Sequence, residues 1–460
     1  MITIKCPHNC INERKYIFKV ILWDFLGLEF TVIYESRSDI AILYENKTLK
    51  INDDFFTIAD KKWMQLQSLP EQPLAHLDIS GLSKTVDLPS TSLPIIYGKP
   101  NLEISENHIQ LDIDIFGSSF FMLSRYEEAI KTDRDKHDRF PVTASLAYQE
   151  DFLARPIINE YLEILWFCLS TLSPKLRRKT RQYKELISCD VDTPYNPNSG
   201  FLKKELRQIA SDLLKRKSLK LAWKRYRNFA AMRKGDYSLD PFYTFDWMMK
   251  SCEENNLKCA FYFLCDKTNL NYDGKYNIDE SPITGLLQSI SARGHEIGLH
   301  GSYNTYQTLS QHKFEFDKLQ KITKREGINT INIGGRQHYL RYNIMKTPAI
   351  LENSGMTYDS SLYYAEKPGF RCGICYEFTM YDLSSRSPLK LIQRPLIFME
   401  ASTLSGIYND YNNTSHLAAT LKNTCYKFNG TFTLLWHNSS LTTDVHKQIF
   451  IDILTQHPND

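Results

Sequence analysis

The chain has 460 residues, 42% of them hydrophobic and 24% charged, a balance that supports a sizeable buried core and excludes a disordered polymer. Lys and Arg number 56 against 53 Asp and Glu, and the resulting net charge of +3 gives no whole-molecule reason for a nucleic-acid partner, so no nucleic acid is expected. Residues 1–13 combine Lys5, Cys6, His8 and Cys10 with no apolar run, which excludes a secretory h-region, and the most apolar stretch, 16–34, is broken by Lys19, Asp24 and Glu29, so no bilayer span is predicted.

The ten cysteines are scattered through apolar segments, as expected of reduced thiols in a cytoplasmic protein. Cys6-x3-Cys10 and Cys372-x2-Cys375 lack finger-like spacing and read as packing residues. No repeat or low-complexity tract is present, so organisation is read from element order. Short strand-like runs at 18–21, 28–34, 40–44 and 108–113 precede helical stretches at 119–130 and 157–172, which predicts a separate N-terminal α+β domain over residues 1–180. Residues 173–181 are polar, basic and carry Pro174, the composition of a linker.

Beyond the linker, apolar strands alternate with amphipathic helices, the signature of parallel α/β architecture. Strands are predicted at 185–189, 259–264, 296–299, 330–333, 356–358, 391–398 and 431–436, with helices at 242–255, 284–292, 305–325, 344–353 and 417–428 between most of them. Gly294, Gly327 and Gly355 stand where helices stop. Polar residues follow the strands: Asp190 and Asp192, Asp266, His300, Arg336, Asp359, Glu400 and His437. Parallel barrels put their chemistry at these strand ends, which makes the set a candidate ring.

Four segments carry the chemistry. Asp190-Val191-Asp192-Thr193-Pro194 ends a strand with two carboxylates two residues apart, able to divide between metal binding and proton transfer, although an Asp there also serves as a turn former. In Gly294-His295-Glu296-Ile297-Gly298-Leu299-His300, His300 leaves a strand and Asn304 follows four residues on, the spacing of one helical face. Arg336 or Arg341, in Gly335-Arg336-Gln337-His338-Tyr339-Leu340-Arg341, can pair with Asp190, and His437 in Leu435-Trp436-His437-Asn438 ends the last strand as a candidate proton donor.

The order DVD, HEIGLH, an arginine segment and a late WH resembles the polysaccharide deacetylases with a NodB-homology domain, over residues 186 to about 441. The resemblance implies an irregular (β/α)7 barrel over 181–460, with Asp190 as general base, Asp192 and His300 as ligands of a divalent metal, Arg336 orienting the base and His437 as general acid. It places Asn304 where a second histidine is expected. An amide is a weaker ligand than imidazole, so either the ion is held by fewer strong ligands or another side chain such as His338 helps. Zinc is the implied ion, with cobalt or manganese as alternatives. Leu123-Ser124-Arg125-Tyr126-Glu127-Glu128 and Asp138-Arg139-Phe140-Pro141 resemble a bacterial branch of that family with an extra N-terminal domain. His338, Arg341, Asp359, Arg371 and Trp436 are the candidate substrate-binding residues, and the implied substrate is an amino-sugar glycan of a surface polysaccharide or its lipid-linked precursor.

Residues 200–240 form a basic insertion in which twelve Lys and Arg alternate with Leu206, Leu213, Leu219, Trp223 and Tyr226 at helical spacings. Either a solvated helical hairpin covers the barrel, or a basic amphipathic surface docks on anionic membrane at its inner face. Two readings of the whole remain open: a metal-dependent N-deacetylase, and a catalytically silent glycan-binding scaffold that keeps the barrel without the metal.

Overall fold

The computed structural model describes residues 1–82, 85–196, 202–404 and 411–456, so Gly200 and Phe201 of the predicted basic insertion lie outside the described residues. The first strands are β1 (Ile2–Cys6), β2 (Phe30–Tyr34), β3 (Asp39–Tyr44) and β4 (Lys47–Asn52). The ribbon β5 (Ala75–Asp78) and β6 (Ser92–Ile95) follows, then β7 (Gly98–Ile104) and β8 (His108–Ile113). They build a mixed sheet in the order β2-β1-β3-β4-β8-β7, with β5-β6 as a separate antiparallel pair. β1 and β8 alternate buried and half-buried residues, as expected of strands with one covered face. The helix Ile157–Leu172 packs on β4 and β8.

The second sheet comprises β9 (Lys184–Val191), β10 (Cys259–Leu264), β11 (Glu296–Gly301), β12 (Gly335–Gln337), β13 (Tyr358–Asp359), β14 (Phe378–Asp382), β15 (Ser387–Gln393), β16 (Phe398–Met399) and β17 (Thr431–Leu435). Their order is β14-β15-β13-β12-β11-β10-β9-β17-β16. Every pairing is parallel except that of β14 with β15, and no pair closes the sheet between β14 and β16 among the described residues. The result is a curled half-barrel. All six residues of β10, Cys-Ala-Phe-Tyr-Phe-Leu, are buried, because Phe261 packs on Phe245 of the helix Phe245–Glu254 while Ala260 and Tyr262 pack with Tyr358 inside the curl.

Several elements differ from the sequence expectation, some of them for a local reason. Residues 18–21 are helical, since Phe18, Val20 and Ile21 are buried around an exposed Lys19 and so short a run carries no period that separates helix from strand. The stretch 119–130 divides into Ile115–Leu123 and Tyr126–Ile130 at Arg125, which adopts a left-handed backbone with φ 52°. The predicted strand 391–398 is two strands, because Pro395 cannot continue a ladder, and β16 crosses to the opposite edge beside β17. Strand pairing does not occur at 330–333; it begins at Gly335, and β14 adds an unpredicted antiparallel edge.

Residues 173–181 carry no helix or strand but are fastened down. The Lys179 amide donates to the Leu26 carbonyl at 2.8 Å, and the Arg181 guanidinium lies 4.0 Å above the Tyr376 ring. Buried apolar residues from both sheets merge into one continuous cluster running from Ile2 to Leu454. A buried ion network ties the same parts together. Arg371 donates to both Glu128 oxygens at 2.9 and 2.6 Å, and Arg125 donates to Glu128 at 2.8 Å and to Glu127 at 3.0 Å. Burial opposes the Glu128 charge, but Arg371 and then Arg125 outweigh it and lower its pKa from 4.5 to about 2.

Removing the carboxylate leaves two buried guanidinium groups without their shared partner. Glu128→Ala is expected to lower unfolding free energy by about 3–5 kcal/mol, measured by urea denaturation. Because the folded pKa lies below the unfolded one, the wild-type contribution is full above pH 4.5 and fades as pH falls toward about 2, so the variant should lack that part of the acid limb. A loss below about 1 kcal/mol would contradict this role.

Candidate active site

Asp190 lies near the end of β9, and Arg336 in β12 reaches it across the sheet. The Arg336 Nη1 donates to Asp190 Oδ1 at 2.6 Å, Nη2 to Ser188 and Ser360 hydroxyls at 3.0 Å each, and Nε to the Ser360 carbonyl at 2.8 Å. The guanidinium also sits over the Tyr262 ring at 5.1 Å, so no rotamer freedom remains. Its position depends on Gly335, where a Cβ would stand 1.8 Å from the Leu299 carbonyl oxygen. That close approach pairs β12 with β11 and sets Arg336 beside His300.

Asp192, His300 and His338 converge just beyond the strand ends. The Asp192 Oδ1 lies 3.1 Å from His300 Nε2 and 3.4 Å from His338 Nε2, and all three donor atoms fall within 4.8 Å of one another. Ligands bound tetrahedrally to zinc at ~2.0–2.1 Å stand about 3.3 Å apart, so the spacing fits. The hydrogen bonds behind the rings fix which nitrogen faces inward. His300 Nδ1–H donates to the Arg336 carbonyl at 2.9 Å, and His338 Nδ1–H donates to Asp273 Oδ1 at 2.9 Å. Both Nε2 lone pairs therefore point at Asp192, whose buried Oδ1 receives no well-directed hydrogen bond. Burial opposes the His338 cation, but the Asp192 charge prevails and raises its pKa to about 9 when protons are the only cations available. Such a donor set suits a divalent ion with nitrogen and oxygen ligands.

Asp273 is itself built in. Its Oδ1 also accepts the Tyr303 amide at 2.8 Å, and its Oδ2 accepts the Thr268 and Asn269 amides at 2.8 Å each. Next to it Gly274 lies so near the Asp192 carbonyl that a Cβ would approach within 2.2 Å. His437, just past β17, faces the same cavity. Its Nδ1–H donates to Glu400 Oε1 at 2.7 Å, leaving Nε2 3.7 Å from Asp192 Oδ2.

The cavity holds about 400 Å³ and is lined by Asp190, His437, Tyr272, Lys275, Tyr339 and Arg139, among others. Arg139 comes from the N-terminal part of the chain. It donates to the Tyr339 carbonyl at 3.1 Å, while Tyr306 donates to Asp138 at 2.5 Å and His137 Nδ1 lies 3.0 Å from the Tyr303 hydroxyl. These contacts brace an unusual turn: Tyr339 and Leu340 both have left-handed backbones, φ 59° and 57°, a conformation that bulky residues hold only when neighbours enforce it. His338 leads directly into that turn.

Several sequence candidates have other work. Asn304 is exposed, and its amide donates to the Thr268 carbonyl at 3.0 Å and accepts from Arg341 at 3.0 Å; it makes no side-chain cap of the turn after it. His338, expected at the substrate or as a helping ligand, groups with Asp192 and His300. Arg341 braces the strained turn through the carbonyls of His137 at 2.7 Å and Tyr303 at 2.8 Å. Asp359 is fully buried against Ser361, Arg371 belongs to the Glu128 network, and Trp436 packs on Phe450 with ring centroids 5.4 Å apart. None of these four lines the cavity. Asp266 accepts from Gln311 at 2.9 Å and stands outside the ligand group. Asp273, Tyr272 and Lys275 were missed, because Asn-Tyr-Asp-Gly reads as an ordinary turn; Glu400 was visible only as a polar residue after a strand.

Residues 2–174 match a family model described as a family of unknown function, DUF7033. A comparison with curated proteins gives no match. Among solved structures, the chain is similar to a candidate polysaccharide deacetylase from Mycobacterium smegmatis, with 14% identity, TM-score 0.35 and coverage of 60% of this chain and 83% of that one. It is also similar to a candidate polysaccharide deacetylase from Pseudomonas aeruginosa PAO1, at 13% identity, TM-score 0.34 and coverage of 47% and 69%. Puue allantoinase follows at 12% identity, TM-score 0.33 and the same coverages. At these values the functional reading rests on the residues of the chain itself.

If the ligand group is Asp192, His300 and His338, His338→Ala should weaken zinc binding more than about 100-fold and Asp273→Asn about 10–100-fold, with Asn304→Ala unchanged. Competition titration against a chelating dye measures all three. Loss of zinc affinity in Asn304→Ala with retention in His338→Ala would reverse the assignment.

Proposed function

We propose that the chain is a metal-assisted hydrolase that removes N-acetyl groups from amino sugars, in a surface polysaccharide or its lipid-linked precursor. The observation that carries this reading is the convergence of Asp190, Asp192, His300, His338 and His437 on one cavity, with the Nδ1 of each ring engaged outward. Asp192, His300 and His338 would hold the ion. When bound, a divalent cation supplies Lewis acidity toward an amide carbonyl and lowers the pKa of water.

The remaining chemistry belongs to side chains. Asp190 is the general base: Arg336 occupies one of its oxygens at 2.6 Å, and the other, 3.8 Å from His300 Nε2, faces the ligand group. His437 is the general acid. Burial disfavours its cation, but Glu400 more than offsets this and raises the pKa to about 10, so the ring carries its proton at neutral pH and can deliver it to the leaving nitrogen. Tyr272 and Tyr339 provide apolar faces for a sugar ring, and Lys275 adds a cation at the rim. The division of the chain near residue 180 is part of the proposal, with the N-terminal part supplying Arg139 to the cavity. The silent-scaffold reading drew its support from Asn304 as a poor ligand, and His338 supplies the missing imidazole.

Acetate release from N-acetylglucosamine oligomers tests the proposal. Asp190→Asn is expected to reduce kcat by at least about 1000-fold with zinc stoichiometry intact, and His437→Gln by about 100–10,000-fold. Acetate release by the zinc-loaded wild type that is unaffected by Asp190→Asn would contradict the assigned roles. No release from any N-acetylated glycan by the zinc-loaded protein would sink the activity.

A further inference from the structure

The hairpin formed by the helices Leu202–Leu214 and Leu219–Met232 is built with its polarity reversed. Asp212 is fully buried and accepts from Arg216 and Arg225 at 2.8 Å each, while Glu205 and Asn228 are also buried. Apolar side chains face outward instead: Leu214 and Leu219 are 78% and 79% exposed and Trp223 62%, with Leu206, Leu213 and Tyr226 exposed beside them. The Trp223 and Tyr226 rings lie stacked on this outer surface, 5.6 Å apart. A solvated cover for the sheet would show the opposite arrangement, and large exposed apolar patches mark contact surfaces.

The charge around the patch identifies what it contacts. Residues 205–234 carry ten basic side chains against two acids, Glu205 and Asp212, a net +8 where the whole chain has only +3, so the remainder is net −5. Both acids are buried, so residues 205–234 expose basic and apolar side chains with no acid among them. At the foot of the hairpin, Lys224 and Lys447 line a cavity of about 480 Å³. A second copy meeting this one hairpin to hairpin would bring an equally cationic surface against it, at a cost from like-charge repulsion. A nucleic-acid groove does not call for exposed leucines. An anionic bilayer satisfies both features, taking the leucines and Trp223 into the headgroup and acyl boundary while the Lys and Arg heads stay with lipid phosphates.

We propose that this hairpin docks the protein on the surface of an anionic lipid bilayer. No helix among the described residues is long and apolar enough to cross a membrane, so the contact is peripheral. Along the chain, the hairpin follows Asp192 and Thr193, both of which line the candidate cavity. The proposal stands on surface composition and does not depend on the hydrolase reading.

The full chain should sediment with vesicles containing phosphatidylglycerol and not with phosphatidylcholine vesicles. Binding should weaken at least about tenfold between about 0.05 M and about 0.5 M salt. The triple variants Leu214→Ser/Leu219→Ser/Trp223→Ser and Lys215→Glu/Lys217→Glu/Lys220→Glu should each lower binding by about tenfold or more with unchanged melting temperature. Because every substituted side chain is exposed, loss of fold is a separable outcome read from the melt, and the single variant Trp223→Ser then serves in its place. The proposal is overturned if phosphatidylglycerol vesicles leave the protein in the supernatant or if binding survives both variants. It is equally overturned if sedimentation velocity shows a dimer that the leucine variant abolishes, or if duplex DNA binds more tightly than the vesicles.

Discussion

Arg336 holds two functional groups at once. Its guanidinium fixes Asp190 at 2.6 Å, and its backbone carbonyl accepts the Nδ1–H of His300 at 2.9 Å. The orientation of the candidate base and the tautomer of a candidate ligand are thus set by a single residue on a three-residue strand. Burial makes the arrangement strict, because Arg336 is 1% exposed and a guanidinium there must have all its donors satisfied. Gly335 is the backbone condition for it: a side chain at that position would separate β12 from β11 and move both groups.

A second constraint comes from the N-terminal part of the chain. Residues 137–139 brace the left-handed turn at Tyr339 and Leu340, and Glu128 shares Arg371 and Arg125 across the two sheets. The segment matched by the family of unknown function spans Glu128 and residues 137–139. Its physical contribution includes holding the turn that follows His338, which gives a strained backbone its support.

What could be read from the sequence follows from how each residue is placed. Asp190, Asp192, His300 and His437 sit at or just beyond the ends of apolar strands, and a polar residue in that position is visible without any knowledge of contacts. Asp273 and Tyr272 sit in a long loop after β10 and reach the site only through tertiary folding, so no local pattern marks them. The resemblance put the second ligand at Asn304, four residues from His300, with His338 as the alternative, but the chain there forms a short turn whose asparagine is taken by Thr268 and Arg341. His338 is neither periodic with His300 nor near it in sequence; parallel pairing of β11 with β12 brings them together. The open sheet was likewise hidden, because strand order and closure depend on pairings between elements far apart in the chain, and Pro395 was the one local signal that a predicted strand was two.

The most direct measurement is anomalous X-ray scattering from crystals of the full chain grown with zinc or cobalt. The account predicts one strong peak within about 2.0–2.2 Å of His300 Nε2, His338 Nε2 and an Asp192 carboxylate oxygen, with Asn304 still bonded to Thr268 and Arg341. A peak coordinated by Asn304 in place of His338, or no peak near Asp192 at saturating metal, would contradict it.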